Sequence, residues 1–149
     1  MSFRLPNDLQ FFLQAYYQQP VHHALYFDSI TNSSHVIRRN NYKDGQWHGL
    51  REGWNDQGRL ICRDNYKDGR LDGLVERWND QGQLKWRGYY KDGYVHGLFE
   101  EWNEQGQLIW CINYKDGQRH GVSEYWNAQG QLICRVNYTN GKEHGVVEY

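Results

Sequence analysis

The sequence predicts an all-β protein, an elongated single-sheet ladder of 24-residue β-hairpin repeats with a short N-terminal α-helical cap. The first observation is that a nearly identical 24-residue segment recurs four and a half times, without insertion or deletion, from Tyr42 to Tyr149. The second is that each copy holds two short runs rich in aromatic and branched residues, bounded by turn residues. The third is that the 16 Gly recur at fixed places in the repeat, unlike the Gly of a flexible linker.

The residues before the array are predicted to close its first edge. Residues 1–22 have apolar side chains at positions 9, 12, 13 and 16, the spacing of a helix face, and are assigned to a helical cap. Residues 23–41 align with the repeat, with Ile30 at the Trp position, and are assigned to a degenerate capping hairpin. A cap is expected because an open sheet edge invites pairing with another chain. A docking role for the helix, through Phe11 and Tyr17, is the alternative.

Each repeat within 42–149 is predicted to form one hairpin. In the first copy, NYKDGQWHGLREGWNDQGRLICRD, the strands are GLREGWN and RLICRDNY. DQG is the turn between them, where Gly adopts positive φ without steric penalty. YKDG and the following HG are predicted to form a second, longer turn into the next repeat. Successive hairpins then pair side by side in one antiparallel sheet.

Strict alternation of side chains along each strand divides the repeat between two faces. Face one is predicted to carry the packing, because its residue types recur in every copy. Its structural repeat positions are Tyr42, Trp54, Tyr66, Trp78, Tyr90, Trp102, Tyr114, Trp126 and Tyr138, with Glu52, Glu76, Glu100 and Glu124. Face two is predicted to hold the variable positions. Binding is assigned there to Arg51, Arg59, Arg63, Arg77, Lys85, Arg87, Tyr89, Phe99, Tyr125 and Arg135.

The charge of the chain is balanced in total but not on the predicted faces. The sequence has 17 Lys plus Arg against 18 Asp plus Glu, so nucleic acid is not an expected partner. Face two would carry the basic residues against Glu101 alone, which predicts an electropositive side. A solvated face is one interpretation. The other is a docking surface for an acidic protein patch, anchored by Tyr89, Phe99 and Tyr125, with an anionic membrane as a weaker partner.

The repeat resembles a known family. The pattern Y-K-D-G-x-x-H-G-x-x-x-E-x-W-N-x-x-G-x-L is similar to the MORN repeat, in the variant found in bacterial YwqK-type antitoxin-like proteins and in large DNA viruses. Asp72 departs from the pattern where the other copies have His, and the last copy ends before its Trp. The resemblance implies an elongated, twisted single sheet used mainly for protein–protein contact and sometimes at lipid surfaces.

The repeated His and Glu residues are predicted to be structural. Strands lie about 4.8 Å apart, so equivalent residues of successive hairpins stand about 10 Å apart. That separation exceeds what a zinc site or a pair of catalytic carboxylates requires. We expect the turn His residues to bond to neighbouring backbone, and the Glu residues to accept hydrogen bonds from Trp, Tyr or turn amides. No metal, cofactor or catalytic residue is assigned, and the protein is expected not to be an enzyme.

The Cys residues predict a reducing compartment. Cys62 and Cys134 occupy the same repeat position three copies apart, whereas Cys111 is one position out of phase and faces the other side. No pair comes within disulfide reach, so a cytoplasmic location is expected, or a viral particle if the protein is viral. The sequence shows neither an apolar run long enough to span a membrane nor that of a secretory signal.

These features favour a non-catalytic scaffold whose partner is another protein. Three alternatives stay open: an antitoxin-like protein that neutralises a toxin, a structural subunit of a larger assembly such as a viral particle, and a peripheral membrane binder. The last segment, GVVEY, supplies one strand without a returning partner. It predicts either a short terminal edge or self-association through strand addition.

Overall fold

The computed structural model describes residues 37–148, and these contain strands and turns without a helix. The predicted helical cap at 1–22, and the capping hairpin up to residue 36, lie outside the described residues. Thirteen strands follow one another: β1 (Ile37–Arg39), β2 (Tyr42–Lys43), β3 (Gln46–Trp47), β4 (Gly49–Trp54), β5 (Leu60–Lys67), β6 (Arg70–Leu71), β7 (Gly73–Trp78), β8 (Leu84–Lys91), β9 (Tyr94–Trp102), β10 (Leu108–Lys115), β11 (Gln118–Trp126), β12 (Leu132–Thr139) and β13 (Lys142–Glu148).

The strands form one antiparallel sheet in nearly sequential order. The order is β1-β4-β5-β7-β8-β9-β10-β11-β12-β13, and β6 pairs beside β7 on β5. β2 and β3 form a separate two-stranded hairpin. Apart from the pairs β1–β4 and β5–β7, neighbours in the large sheet are consecutive in sequence, because short turns connect them. The prediction of an all-β protein with a large antiparallel sheet of hairpins is confirmed.

One edge of the sheet is made by tight Asp-Gly or Asn-Gly turns. Both central residues have positive φ, for example 51° at Asp92 and 90° at Gly93. This is the two-residue turn whose twist matches that of the flanking strands. The longer turn predicted from YKDG to HG is therefore wrong. His96 and Gly97 lie inside β9, since the strand resumes directly after Gly93.

The other edge is made by loops that begin with Asn. The Asn55 N–H donates to the Arg59 carbonyl at 2.9 Å, and the Gly58 N–H donates to the Asn55 carbonyl at 2.9 Å. The Asn55 side-chain oxygen accepts the N–H groups of Gln57 and Arg59. The same backbone and side-chain bonds recur at Asn79, Asn103 and Asn127. The Asn side-chain oxygen thus accepts hydrogen bonds from backbone N–H groups that the loop would otherwise leave unpaired.

A β-bulge just after each Asn loop changes which side chains share a face. Trp54 lies opposite Leu60, but Gly53 lies opposite Cys62, so Ile61 is an extra residue. The same register shift occurs in the next three repeats. Because of it, Glu52 lies opposite Arg63, and the two side chains point to the same face. The predicted division into faces one and two is therefore wrong from the bulge onward.

The buried core is a single row across the middle of the sheet. Its apolar members are Val75, Ile112 and Val136, with 1%, 3% and 6% of their surface exposed. Asp64 and Ser123 lie in the same row and are fully buried. The cross-strand pairs place this row on the face that also carries the repeated Tyr side chains. Packing therefore involves positions that sequence analysis assigned to the variable face.

Candidate functional site: the two faces of the sheet

The first face, named the Glu face, carries the repeated Glu and Trp residues and a continuous row of charges. Cross-strand pairing lines up one residue per strand, and we call this line the Arg–Glu row. Its members are Arg39, Glu52, Arg63, Glu76, Arg87, Glu100, Cys111, Glu124 and Arg135. Opposite charges thus alternate from β1 to β9 and again from β11 to β12.

Ion pairs join neighbours in the Arg–Glu row. The Glu52 carboxylate accepts hydrogen bonds from Arg39 at 2.5 Å and from Arg63 Nε at 3.0 Å, and its side chain is 7% exposed. Arg63 also reaches Glu76, at 3.5 Å. Arg87 lies 2.5 Å from Glu100, and hydrogen bonding to that carboxylate raises the pKa of Arg87. Arg135 pairs with Glu124.

The Trp residues of the Glu face cover the arginines of the row. The Arg63 guanidinium lies 5.7 Å from the Trp78 ring centre, and Arg87 lies 5.4 Å from that of Trp102. Each of these arginines therefore contacts a carboxylate and an aromatic ring together. The prediction that Trp, Tyr or turn amides bond to the repeated Glu is wrong, because arginines of adjacent strands are their partners.

The predicted electropositive face is not formed. Arg39, Arg63, Arg87 and Arg135 share the Glu face with the carboxylates that they pair with. Arg51 lies on the opposite face, where it too is paired with an acid. The bulge causes this difference, since it turns each return strand over relative to strict alternation.

Cys111 interrupts the Arg–Glu row. It lies directly opposite Glu100 on β9 and Glu124 on β11, at the position that Arg63, Arg87 and Arg135 hold in other repeats. Burial raises the pKa of the Cys111 thiol, and the two carboxylates raise it further. Both effects disfavour the nucleophilic thiolate form of Cys111.

The second face, named the Tyr face, carries Tyr66, Tyr90, Tyr114 and Tyr138. Near its N-terminal end, fully buried Asp64 pairs with Arg51 at 2.6 Å and with Arg77 from the other side. Each arginine also lies over an indole: Arg51 is 5.0 Å from the Trp47 ring centre, and Arg77 is 5.2 Å from that of Trp86. The single Asp64 carboxylate offsets one of the two positive charges, and these contacts together fix the arginines in place.

Toward its C-terminal end the Tyr face is dominated by aromatic rings. Trp86 stacks on Phe99 with ring centres 5.4 Å apart, and Phe99 meets Tyr114 edge-on at 6.4 Å. Trp110 Nε1 donates to Glu101 at 2.8 Å. Arg119 Nη1 donates to the Tyr138 hydroxyl at 3.2 Å. These side chains are half-buried, so each keeps part of its surface available.

The structure distributes the predicted binding residues over both faces and one edge. Those on the Tyr face are Arg51, Arg77, Phe99 and Tyr125. Those on the Glu face are Arg63, Arg87, Tyr89 and Arg135. Arg59 and Lys85 lie at the Asn-loop edge, where Arg59 donates to the Asp80 carbonyl at 2.8 Å. Their grouping on one face is wrong, while a role in binding stays a prediction.

The predicted structural positions also divide between the faces. The repeated Glu and Trp residues lie on the Glu face, whereas Tyr66, Tyr90, Tyr114 and Tyr138 lie on the Tyr face. Tyr42 belongs to the small β2–β3 hairpin. Sequence analysis named neither Asp64 nor Arg119, and it missed the Trp47, Trp86 and Trp110 contacts. A signal was present in the fixed spacing of Glu52 and Arg63, which recurs twice more in later copies.

Two of the repeated His residues, His48 and His96, contact backbone of the next repeat as predicted, whereas His120 Nδ1 has no hydrogen-bond partner within the described residues. His48 Nδ1 lies 3.2 Å from Asp68 Oδ1 and 3.4 Å from the Asp68 backbone N. His96 makes the same contacts with Asp116. Where Asp72 replaces His, its carboxylate accepts the backbone N–H of Asp92 at 3.3 Å. The exchanged residue therefore keeps the acceptor function that joins successive Asp-Gly turns.

The possible metal ligands and the Cys residues of the described sheet can be placed individually. Within residues 37–148, no group of three or more His, Cys, Asp or Glu side chains could hold a metal ion. Cys62, Cys111 and Cys134 are free thiols, and Cys111 faces away from the other two. Burial raises the pKa of Cys62, with Arg77 opposing the rise. No helix in this part of the chain is long and apolar enough to cross a membrane.

One segment of the array matches a family model. Residues 119–140 match the model described as a MORN repeat variant. No curated protein matches the sequence. The chain is similar to a mutant of S. aureus TarM, with 16% identity and a TM-score of 0.43, over 92% of this chain and 23% of that one. It is also similar to the GtfA/B complex bound to UDP and GlcNAc, with 18% identity and a TM-score of 0.43, over 88% and 28%.

The chain thus spans only about a quarter of the length of these solved structures, 23% and 28%. The matched segment covers one hairpin, from β11 through the Asn127 loop and β12 to the first residue of the Asn-Gly turn. The other copies carry the same pattern in register. Residues 119–140 are therefore similar to the MORN repeat variant, and the copies around them repeat the same residue pattern.

Proposed function

We propose that the protein is a non-catalytic protein-binding scaffold that uses its Tyr face. MORN repeats are in general protein- or membrane-binding scaffold motifs. The observation that carries the proposal is the half-exposed set of Trp, Tyr and Arg side chains on the Tyr face, already fixed by stacking and hydrogen bonds. These residue types dominate the energetics of protein interfaces, and fixed side chains lose little entropy on binding.

The non-catalytic part of the proposal rests on the state of the available nucleophiles. Burial raises the pKa values of Cys62 and Cys111, which disfavours the reactive thiolate at both positions. The repeated carboxylates accept hydrogen bonds from arginines, so they serve the sheet itself. Both features favour a structural use of residue types that other proteins use in catalysis.

Site-specific photo-cross-linking in cells of the source organism tests the proposal. A benzophenone amino acid replaces Tyr125 on the Tyr face or, as the matched control, Tyr89 on the Glu face. We expect one protein to be captured from position 125 and absent from position 89. The purified partner should bind at least about tenfold more weakly to Trp86→Ala, and unchanged to Tyr89→Ala. Equal capture from both faces, or capture from position 89 alone, contradicts the proposal.

The antitoxin-like alternative is a special case in which the partner is a toxin. The same cross-linking experiment identifies it, because the captured protein then inhibits growth when expressed alone. The membrane alternative has lost its original argument, since the arginines assigned to a basic face pair with carboxylates. Weak binding to phosphatidylserine vesicles is the result we expect for the wild-type chain.

A structural subunit is the second candidate, because β13 has an open edge within the described sheet. It pairs only with β12 there, and all its side chains are exposed, including Val146 and Val147 at 44% and 49%. An exposed edge strand with apolar residues favours addition of another strand. Light scattering over a wide concentration range tests this candidate. A molecular mass that rises with concentration in the wild type, and stays at the monomer value in Val147→Lys, favours it.

A further inference from the structure

Arg119 is a basic residue at a position that is apolar in the first three copies of the array and is Glu143 in the fifth. The residue that faces the repeated Tyr across the tight turn is Trp47, Leu71 or Val95 in the first three copies. In the fourth copy it is Arg119, which lies opposite Tyr114 on β10. A lone guanidinium therefore enters the aromatic end of the Tyr face, where packing alone does not require it.

The surroundings of Arg119 are phenols and not carboxylates. Its guanidinium donates to the Tyr138 hydroxyl at 3.2 Å and lies 5.3 Å from the centre of that ring. Burial lowers the pKa of Arg119, but hydrogen bonding to Tyr114 and Tyr138 reverses the effect and raises it on balance. Burial also raises the pKa of Tyr125, and Arg119 opposes the rise. The raised pKa of Tyr125 disfavours its phenolate form, so this residue does not compensate the positive charge of Arg119.

The contrast with other half-buried arginines of the described sheet is direct. Arg51 and Arg77 share the buried Asp64 carboxylate. The arginines of the Arg–Glu row have glutamate partners. For Arg119, no ion pair is formed within residues 37–148, although Glu143 lies on β13 directly opposite Tyr138. A partly desolvated cation without a counter-ion favours an external anion.

We propose that Arg119, with Tyr114, Tyr125 and Tyr138, binds a carboxylate from an acidic segment of a partner protein. The proposal rests on the protein-binding function proposed above and specifies the chemistry of the partner. The guanidinium carries more N–H donors than the phenol oxygens can engage, and its planar fork matches a carboxylate. The Tyr hydroxyls supply additional donors beside it. Phe99 and Trp110 lie on the same face and can pack against apolar residues that flank the acid.

Peptide display gives a test that can be run before the partner is identified. The wild-type protein selects from a random 12-residue phage library, and a selected peptide is then synthesised with its Asp or Glu intact or changed to the amide. We expect selected sequences to share an acidic residue. Removing the carboxylate should weaken binding at least about tenfold, which is the loss expected for a charge-assisted pair. This arm uses only the wild-type protein, so it does not depend on any variant folding.

Variants then locate the contact. Arg119→Gln should weaken binding of the acidic peptide by about the same factor. It should not weaken binding of the amide peptide further, because the variant and the amide peptide each remove the same interaction between guanidinium and carboxylate. Arg119→Lys should also lose affinity, because a point charge does not reproduce the fork. Arg70 is an exposed residue of β6, so Arg70→Gln removes the same charge elsewhere and should bind the peptide like the wild type. Thermal melting confirms that each variant is folded.

The possible outcomes separate this proposal from the proposed function. If acidic and amide peptides bind equally, yet Trp86→Ala abolishes both, the scaffold function stands and the carboxylate site is overturned. If replacing Trp86 or Tyr125 by Ala leaves the binding of every selected peptide unchanged, the Tyr face is not a binding surface and both proposals fail. Binding to phosphatidylserine vesicles that Arg119→Gln abolishes, without acidic peptides in the selection, overturns the proposal in favour of a lipid headgroup.

Discussion

Arg63 Nε donates to Glu52 Oε1 at 3.0 Å, from the strand directly beside it. This pair is one step of a charge row that crosses the sheet perpendicular to its strands. Because Arg63 contacts glutamates on both flanking strands, the row acts on the contacts between hairpins as well as within them. An exposed ion pair contributes little, but a network with shared and partly buried members contributes more.

Completing the Arg–Glu row should stabilise the protein. In Cys111→Arg the new guanidinium would lie between Glu100 and Glu124, which otherwise face a neutral thiol. It could also cover Trp126 as Arg87 covers Trp102. We expect the free energy of unfolding to rise by about 1 kcal/mol. Urea denaturation measures the change, and Cys111→Gln is the control with similar length but no charge. A stability gain of equal size in the control would show that the charge is not the cause.

The two glutamates should also suppress the reactivity of Cys111. The pKa of the thiol is raised by burial first and by Glu100 and Glu124 second, so less thiolate is present at a given pH. Replacing Glu124 by Gln removes a negative charge that disfavours the thiolate. The pKa should therefore fall toward its ordinary value, and alkylation by iodoacetamide at pH 8 should become about two- to threefold faster.

This measurement requires a background with Cys62→Ser and Cys134→Ser, so that one thiol remains. Glu101→Gln is the matched control, since Glu101 lies on the Tyr face and bonds to Trp110. The control should leave the rate unchanged. Equal acceleration in both variants would indicate general loosening of the sheet instead of a charge effect.

Asp64 should be among the residues whose loss destabilises the sheet most. It is fully buried and pairs with Arg51 and Arg77, whose side chains are 17% and 29% exposed. In Asp64→Asn both arginines lose their counter-ion while remaining partly desolvated. We expect the free energy of unfolding to fall by about 3 kcal/mol, near the lower end for a broken buried pair because the arginines can reach solvent.

Chemical denaturation at pH 7 measures this loss. Asp68→Asn provides the comparison, because Asp68 is exposed, with 67% of its side chain accessible, and Asn tolerates its positive φ. The comparison variant should change stability by less than about 0.5 kcal/mol. A loss at Asp64 as small as that at Asp68 would mean that the arginines find other partners.

The hairpin sheet could be predicted from the sequence because a fixed period constrains every copy at once. Regular Gly positions and short apolar runs indicate turns and strands independently of any tertiary contact. The face assignment could not be predicted by alternation alone. One extra residue, Ile61 in the first copy, shifts every later side chain of that strand to the opposite face. A bulge is a local backbone event, and apolar pattern alone does not reveal it.

The charges illustrate the same limit. Read by alternation, Arg63 and Glu52 belong to opposite faces, and a basic surface results. With the bulge taken into account, the two residues lie directly opposite each other and are hydrogen-bonded. A buried charge at Asp64 was equally hard to predict. The equivalent residues in other copies are uncharged: Gly88, Ile112 and Val136.

The Gly88–Phe99 pair offers the last prediction, because the two residues fill one space in complementary fashion. They lie directly opposite on β8 and β9, and a Cβ on Gly88 would stand 2.7 Å from the Phe99 ring. Elsewhere in this core row a larger residue faces a smaller one, as Ile112 faces Ser123. Gly88→Ala should therefore destabilise the protein by about 1–3 kcal/mol through overpacking.

A double-mutant cycle isolates this steric conflict. Phe99→Val, which copies the residue at Val75, removes the ring that the new methyl group meets but loses the stacking on Trp86. In the double variant Gly88→Ala with Phe99→Val, the alanine should cost at least about 1 kcal/mol less than it does beside Phe99. Urea denaturation of all four proteins measures the coupling. Additive losses would show that Gly88 is required for its backbone and not for the space it leaves to the ring.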